Sequence, residues 1–137
     1  RFEIHDTLPR FLTCQTSLEQ VFRNLLGNAI KHHDRREGVV TVDCEELGEY
    51  YVFFVRDDGP GIPEQYRNQV FRMFQRLPAA KDKEGSGIGL ALVQKLVERH
   101  GGQIAIVGPP QGRGSVFRFT WPKKWRKTTD RMSLPLR

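Results

Sequence analysis

Apolar positions along this chain change period several times, and each change marks an element. Leu18, Val21, Phe22, Leu25, Leu26, Ala29 and Ile30 fall at helical spacing. Two overlapping capping boxes precede that stripe, Thr16 with Glu19 and Ser17 with Gln20, so an amphipathic helix is predicted to end near Lys31. Val39 to Cys44 and Tyr50 to Arg56 have strand character and join across Gly48 as a hairpin. Asp58-Gly59-Pro60-Gly61 stops the second strand abruptly. A short helical stretch from about Glu64 to Phe74 leads into Pro78 to Ser86, which has no periodicity. The next helix opens at Gly87 and runs to His100, with Leu92, Val93, Leu96 and Val97 on one face and Gly101 as its C-terminal cap. Gln103 to Val107 and Ser115 to Trp121 are strands, and Phe2 to His5 adds a short one. Helices among hairpin-linked strands predict an α/β two-layer sandwich, one sheet with helices on one face.

Bulk properties narrow the class. A chain of 137 residues makes one domain, and 38% hydrophobic with 28% charged residues reads as soluble and globular. The longest wholly apolar or aromatic run, Tyr50 to Val55, is far short of a bilayer span, and no signal-peptide pattern opens the chain. Cys14 and Cys44 have neither the number nor the spacing of a disulfide framework or a zinc site, so a cytosolic setting is expected. The net charge of +6 is concentrated in six cations from Lys123 to Arg137, set against Asp130 alone. With Trp125 as its only aromatic, that stretch reads as a solvated tail, and no nucleic-acid partner is expected. The boundaries are therefore a domain over 1–122 and a basic tail over 123–137.

Three constellations carry candidate chemistry. On the first helix Asn24, Asn28 and Lys31 share one flank, about a right angle from the apolar stripe. Amide oxygens suit a hard cation such as magnesium, and an ammonium suits a phosphate. At the end of a strand, Asp57 followed by Gly59 and Gly61 offers a carboxylate to an exocyclic amine such as adenine's, while the glycines let backbone approach a flat ligand. Gly85-Ser86-Gly87-Ile88-Gly89-Leu90 opens the second long helix, whose N-terminal amides form an anion site. Alone, each would equally fit a solvated face, a strand-ending turn or a flexible hinge. Their order and distance in one chain make the difference.

In that order the chain resembles the catalytic ATP-binding domain of sensor histidine kinases, in the superfamily shared with gyrase, the ninety-kilodalton chaperones and MutL-type repair proteins. Leu25 to Lys31 is similar to the asparagine box, Asp57-x-Gly59-x-Gly61 to the first glycine box, Phe71 to Phe74 to the phenylalanine box, and Gly85 to Leu90 to the second glycine box. Gly114-Ser115-Val116-Phe117 resembles the closing glycine-plus-hydroxyl segment. The resemblance spans about residues 1–122. It implies the Bergerat-type fold, a mixed sheet of about five strands with three main helices on one face.

It also implies a site for ATP and Mg2+. Asn24 and Asn28 would hold the metal, and Lys31 would meet a phosphate; these three would be the catalytic residues. Asp57 would read the adenine amino group, with Gly59, Gly61 and Ile62 close to the base, and Phe74 and Ser115 completing the pocket. Gln75 to Glu84 would form a lid, and Gly85, Ser86, Gly87, Ile88, Gly89 and Leu90 would wrap the phosphates. His32 stands where many relatives have Tyr or Phe, so it fits either a nucleotide contact or a solvated helix end. His33 and His100 read as surface or cap residues.

Asn24 separates branches of the superfamily. Hydrolysing members, and the serine-kinase and mitochondrial-kinase branches, carry a glutamate at this position as a general base, which an amide cannot replace. An imidazole nucleophile needs no such base, since its unprotonated nitrogen already has a lone pair at neutral pH. The expectation is a protein-histidine kinase fragment of two-component signal transduction. His5-Asp6-Thr7-Leu8-Pro9 imitates the acceptor motif but fits an opening strand better. The acceptor histidine is thus expected on a separate, upstream dimerisation domain, with a response regulator receiver domain as second partner. The full-length protein would be a homodimer, the isolated domain a monomer, and the location cytoplasmic, free or as part of a membrane-bound sensor. The alternatives are an ATP-hydrolysing conformational switch of the same superfamily and a non-catalytic nucleotide-binding module.

Overall fold

The computed structural model describes residues 2–6, 8–9, 11, 13–72, 89–109 and 112–124, with residues 2–6 as backbone alone. The elements run β1 (Phe2–Asp6), α1 (Gln15–Lys31), β2 (Gly38–Leu47), β3 (Tyr50–Asp57), α2 (Gly89–Arg99), β4 (Ile104–Gly108) and β5 (Ser115–Pro122). The five strands form one sheet in the order β1-β2-β3-β5-β4. β1 lies parallel to β2 and the other pairings are antiparallel, so the sheet is mixed, as expected. No described helix is long and apolar enough to cross a membrane.

Alternation along β2, β3 and β5 puts one apolar row against the helices. Val42 pairs with Val55 and Cys44 with Phe53 across β2–β3, while Val55 pairs with Phe117 and Phe53 with Phe119 across β3–β5. Phe53 and Phe119 stack at 5.1 Å between ring centroids, and Phe22 of α1 meets each of them edge-on. Trp121 is fully buried, donates its indole N–H to Thr13 Oγ1 at 2.7 Å, and stacks on His100. Val21, Leu25 and Ala29 from α1 and Val93, Leu96 and Val97 from α2 close the core from the helical side.

Three local readings need correction. α1 begins at Gln15 with Cys14 as N-cap and no side-chain capping bond. Starting there places Thr16 and Ser17 inside the first turn, where helical backbone angles keep their hydroxyls from capping. Ser17 Oγ accepts a bond from the Cys14 thiol instead. The stretch from Glu64 forms two 3-10 turns, Glu64–Tyr66 and Gln69–Phe71, rather than a helix. Its buried apolar pair, Val70 and Phe71, is adjacent in sequence, so a short tight turn serves it better than an α-helical stripe. The described helical layer is therefore two α-helices and two turns, and Phe74 lies outside the described residues. Ile30 ends the stripe of α1 but is 41% exposed, whereas Phe22, two turns earlier on that flank, is roofed by aromatic rings. α2 ends as expected, with Gly101 and Gly102 donating back to Glu98 and Val97.

Phe119 is the centre of the aromatic cluster. Phe119→Ala is expected to cost about 3–5 kcal/mol of folding stability, read as a shifted midpoint in urea; a loss below about 1 kcal/mol would show that the cluster does not organise the core.

Candidate functional site

The site is assembled at one end of the sheet, where β3 and β5 stop beside the C-terminal half of α1. Asp57 ends β3 on the same face as Phe53 and Val55, because alternate residues of a strand share a face. The register sets Ser115, the first residue of β5, directly across from it. The Ser115 hydroxyl, buried, donates to Asp57 Oδ2 at 2.6 Å, and the Gly59 N–H donates to Oδ1 at 2.9 Å. The carboxylate is thus fixed from both sides, with lone pairs remaining on each oxygen for a further donor.

The glycines behind Asp57 are there for space. Gly61 (φ 88°) and Gly114 (φ 97°) both adopt left-handed backbone. A Cβ on Gly61 would come within 2.7 Å of the Gly114 carbonyl, and one on Gly114 would collide with the Asp57 carbonyl. Gly114 donates its N–H to the Gly59 carbonyl at 2.8 Å, which closes the loop after β3 onto the turn before β5. Ile62, half-buried, packs against the core beneath this loop.

On α1, Asn24 donates its side-chain amide to the Gln20 carbonyl at 2.9 Å. That bond commits the nitrogen and leaves the oxygen facing the first residue of α2, where a Cβ built on Gly89 would lie 3.6 Å from Asn24 Oδ1. Asn28 is half-buried one turn further on, Lys31 is exposed in the last turn, and His32 is the C-cap. Leu90 packs on the core from the start of α2. The structure therefore brings Asn24 to Gly89, and separately Asp57 to Gly59 and Ser115. Phe74, Gly85, Ser86, Gly87, Ile88 and the lid from Gln75 to Glu84 lie outside the described residues. Phe71 is buried edge-on to Phe117, a core contact.

Four residues to which sequence reasoning gave no site role tie the loop leaving α1 to the loop after β3 and the turn before β5. His33 is buried, not at the surface. Its Nδ1 accepts the Arg35 N–H at 3.0 Å, which leaves the ring hydrogen on Nε2 to be donated to Asp58 Oδ1 at 2.8 Å. Asp58 Oδ1 also accepts the Val39 N–H at 3.0 Å. Arg113 grips Asp34 with two parallel bonds of 3.1 and 2.7 Å and donates a third, at 2.9 Å, to the Asp58 carbonyl. These bonds are irregular in sequence and carry no periodic signal; the flanking Gly112 and Gly114 were the only local hint that Arg113 sits in a constrained turn.

A mixed sheet roofed by helices, with a clasped carboxylate at a strand end and an asparagine flank above it, defines the class to which the sequence pointed. The family described as histidine kinase-, DNA gyrase B-, and HSP90-like ATPase matches residues 13–124. The chain belongs to this family, as a catalytic ATP-binding domain of the histidine kinase kind. It is 37% identical over 127 residues to cyanobacterial phytochrome A of Nostoc sp. (strain PCC 7120), covering 93% of this chain and 16% of that protein. It is 36% identical over 121 residues to the adaptive-response sensory kinase SasA of Prochlorococcus marinus, covering 88% and 32%. The mycobacterial sensor histidine kinase MprB superposes with a TM-score of 0.75 at 30% identity, covering 90% of this chain and 81% of that one. Full-length ShkA in complex with AMPPNP also gives 0.75, at 31% identity, covering 88% and 25%. The chain thus spans 16% to 32% of the length of the two curated relatives named.

The ionic ties predict a pH response. The Arg113 guanidinium holds the Asp34 carboxyl down at about 2, and the Val39 N–H, with help from His33, holds Asp58 below the usual carboxylate range. Below the ordinary carboxylate value of about 3.9, the unfolded chain binds more protons than the native state. The stability these groups contribute is complete above that ordinary value and is lost as pH falls towards 2. Thermal midpoints measured from pH 5 downwards should fall more steeply for the wild type than for Arg113→Gln. Parallel curves would show that the fork makes no contribution to folding.

Proposed function

We propose that this domain binds Mg-ATP and donates the γ-phosphoryl group to a histidine on a separate dimerisation and acceptor domain, in two-component signal transduction. The observation that carries the reading is the clasped Asp57 at the end of β3, joined in one fold to an asparagine, not a carboxylate, at position 24. In this reading Asp57 accepts the adenine amino group, with Gly59, Gly61, Ile62 and Ser115 around the base. A guanine would present a carbonyl there, and two acceptors would face each other.

The donor set at α1 suits a hard cation. Asn24 has its nitrogen committed to Gln20, so an oxygen is what it offers towards α2. Asn24 and Asn28 would hold Mg2+, which when bound neutralises phosphate charge, and Lys31 and His32 lie at the end of the same helix to meet the phosphates. Residues 85–90 would contribute backbone donors as α2 begins. With no carboxylate at position 24, this chain supplies positioning and charge rather than a general base. The acceptor imidazole attacks the γ-phosphorus, the bond to the leaving oxygen breaks, and ADP departs.

The relatives support the wider setting. The histidine kinase ThkA is known in complex with the response regulator protein TrrA, so a receiver domain is the natural second partner here. The full-length protein, in this reading, is a homodimer whose ATP-binding domain lies in the cytoplasm, with residues 1–122 as that domain and 123–137 as a basic tail. Lys123, at the start of the tail, donates to Glu46 and to the Glu49 carbonyl.

Radiolabelled ATP supplied to this chain alone, and to the longer protein carrying the upstream acceptor domain, tests the reading. Label should enter only the longer protein, as an acid-labile and base-stable phosphohistidine, and Asn28→Ala should abolish it. Asn24→Glu should raise phosphate release by restoring the hydrolytic branch's carboxylate. Rapid phosphate release by the unmodified chain, or label on serine, would place the domain in a different branch.

A further inference from the structure

The β3–β5 register sets Ser115 opposite Asp57, and the turn that leads into it has few backbone ties among the described residues. Gly112 and Gly114 flank Arg113, both with positive φ, so this stretch has conformational freedom to lose. Pairing between β4 and β5 ends at Gly108 and Val116, beyond a register irregularity, so Ser115 has no β4 partner. On the other side, Gly114 N–H to the Gly59 carbonyl is a single neutral bond. Among the described residues, Arg67 donates to the Pro109 carbonyl at 3.3 Å at the start of the turn, and Arg113 at its end makes two bonds to the Asp34 carboxylate and one to the Asp58 carbonyl. Its partner Asp34 lies three residues beyond Lys31, in the loop that leaves α1, and the neighbouring His33 binds Asp58 from that same loop.

We infer that the Arg113–Asp34 fork is a positioning pair for adenine recognition, which steadies the turn before Ser115 against the loop after Asp57 without touching the nucleotide. The inference rests on the reading of the site as an ATP site. Arg113 is partly exposed, with 37% of its side chain accessible and 47% of Asp34's, and a surface ion pair of that kind adds little to global stability. Its planar double bond fixes direction, however, and the third bond ties that direction to the backbone of the adenine loop. A lysine offers one point charge on a flexible stem and cannot reproduce the two parallel bonds that fix the direction of the fork.

Affinities of this chain for ATP, ADP and adenosine, measured by calorimetry and by NMR shift titration for the weakest ligand, test it. Arg113→Gln and Asp34→Asn should each weaken all three by a similar factor of about five, the net scale of one ordinary hydrogen bond. The double variant should be no weaker than either single, because both remove one interaction. Arg113→Lys should fail to rescue. Lys123→Gln, which breaks an ion pair at the opposite end of β5, should leave all three affinities unchanged. Thermal midpoints at neutral pH should fall by no more than about 5 °C in the Arg113 and Asp34 variants, the small contribution of a surface pair that acid removes from the wild type. Unchanged affinities in the variants overturn the inference while leaving the ATP reading intact. A loss confined to ATP and ADP overturns it in favour of a phosphate contact, and additive losses overturn the pairing. A wild-type chain that binds none of the three overturns the ATP reading and this inference with it.

Discussion

The hydrogen bond between Ser115 and Asp57 is possible only in one register of β3 against β5, and that register is set by apolar packing far along the same strands. Phe53 against Phe119 and Tyr51 against Trp121 fix which residues oppose one another. A slip of one residue would carry Asp57 and its whole row to the other face of the sheet. The core therefore does more than stabilise the fold: by packing aromatic pairs in the middle of the sheet it aims a carboxylate and a hydroxyl at each other at its end. The same face leads up to α1, so the clasped carboxylate and the asparagine flank end on one side of the molecule.

Around that fixed pair the loops are held by polar ties that converge on the loop after β3. Gly59 and Gly114 bond backbone to backbone, His33 and Val39 converge on Asp58, and Arg113 spans from Asp34 to the Asp58 carbonyl. Buried apolar area explains the sheet and the helices; it does not explain the arrangement of three loops made largely of glycine, proline and charge. Their geometry comes from directional bonds, and the absence of Cβ atoms at Gly61 and Gly114 lets the backbones meet.

Much of this was legible in the sequence. Period-2 and period-3.6 patterns located the five strands and both long helices, since burial on one face is what those patterns encode. Asp57 and Ser115 were found as parts of separate ordered motifs, and the register sets them opposite each other. Where the reading failed, the deciding contact was non-local or a matter of one residue. The start of α1 at Gln15 was obscured by two plausible capping boxes, and the 3-10 turns by a run too short to show a period. His33 reads as a surface or cap residue because nothing local announces a bond to Asp58, 25 positions away. Arg113 and Asp34 are 79 apart, and two charges at that separation carry no pairing signal in a single sequence.

The central claim is that Asp57, clasped by Ser115 and Gly59, reads an adenine amino group. Calorimetric titration of the chain with ATP and with GTP in the presence of magnesium, repeated for Asp57→Asn, tests it most directly. The account predicts a strong preference for ATP, with Asp57→Asn losing about 1–3 kcal/mol of ATP binding, the scale of a hydrogen bond to a charged group. Equal affinity for ATP and GTP in the wild type, or an Asp57→Asn variant that binds ATP undiminished, would contradict it.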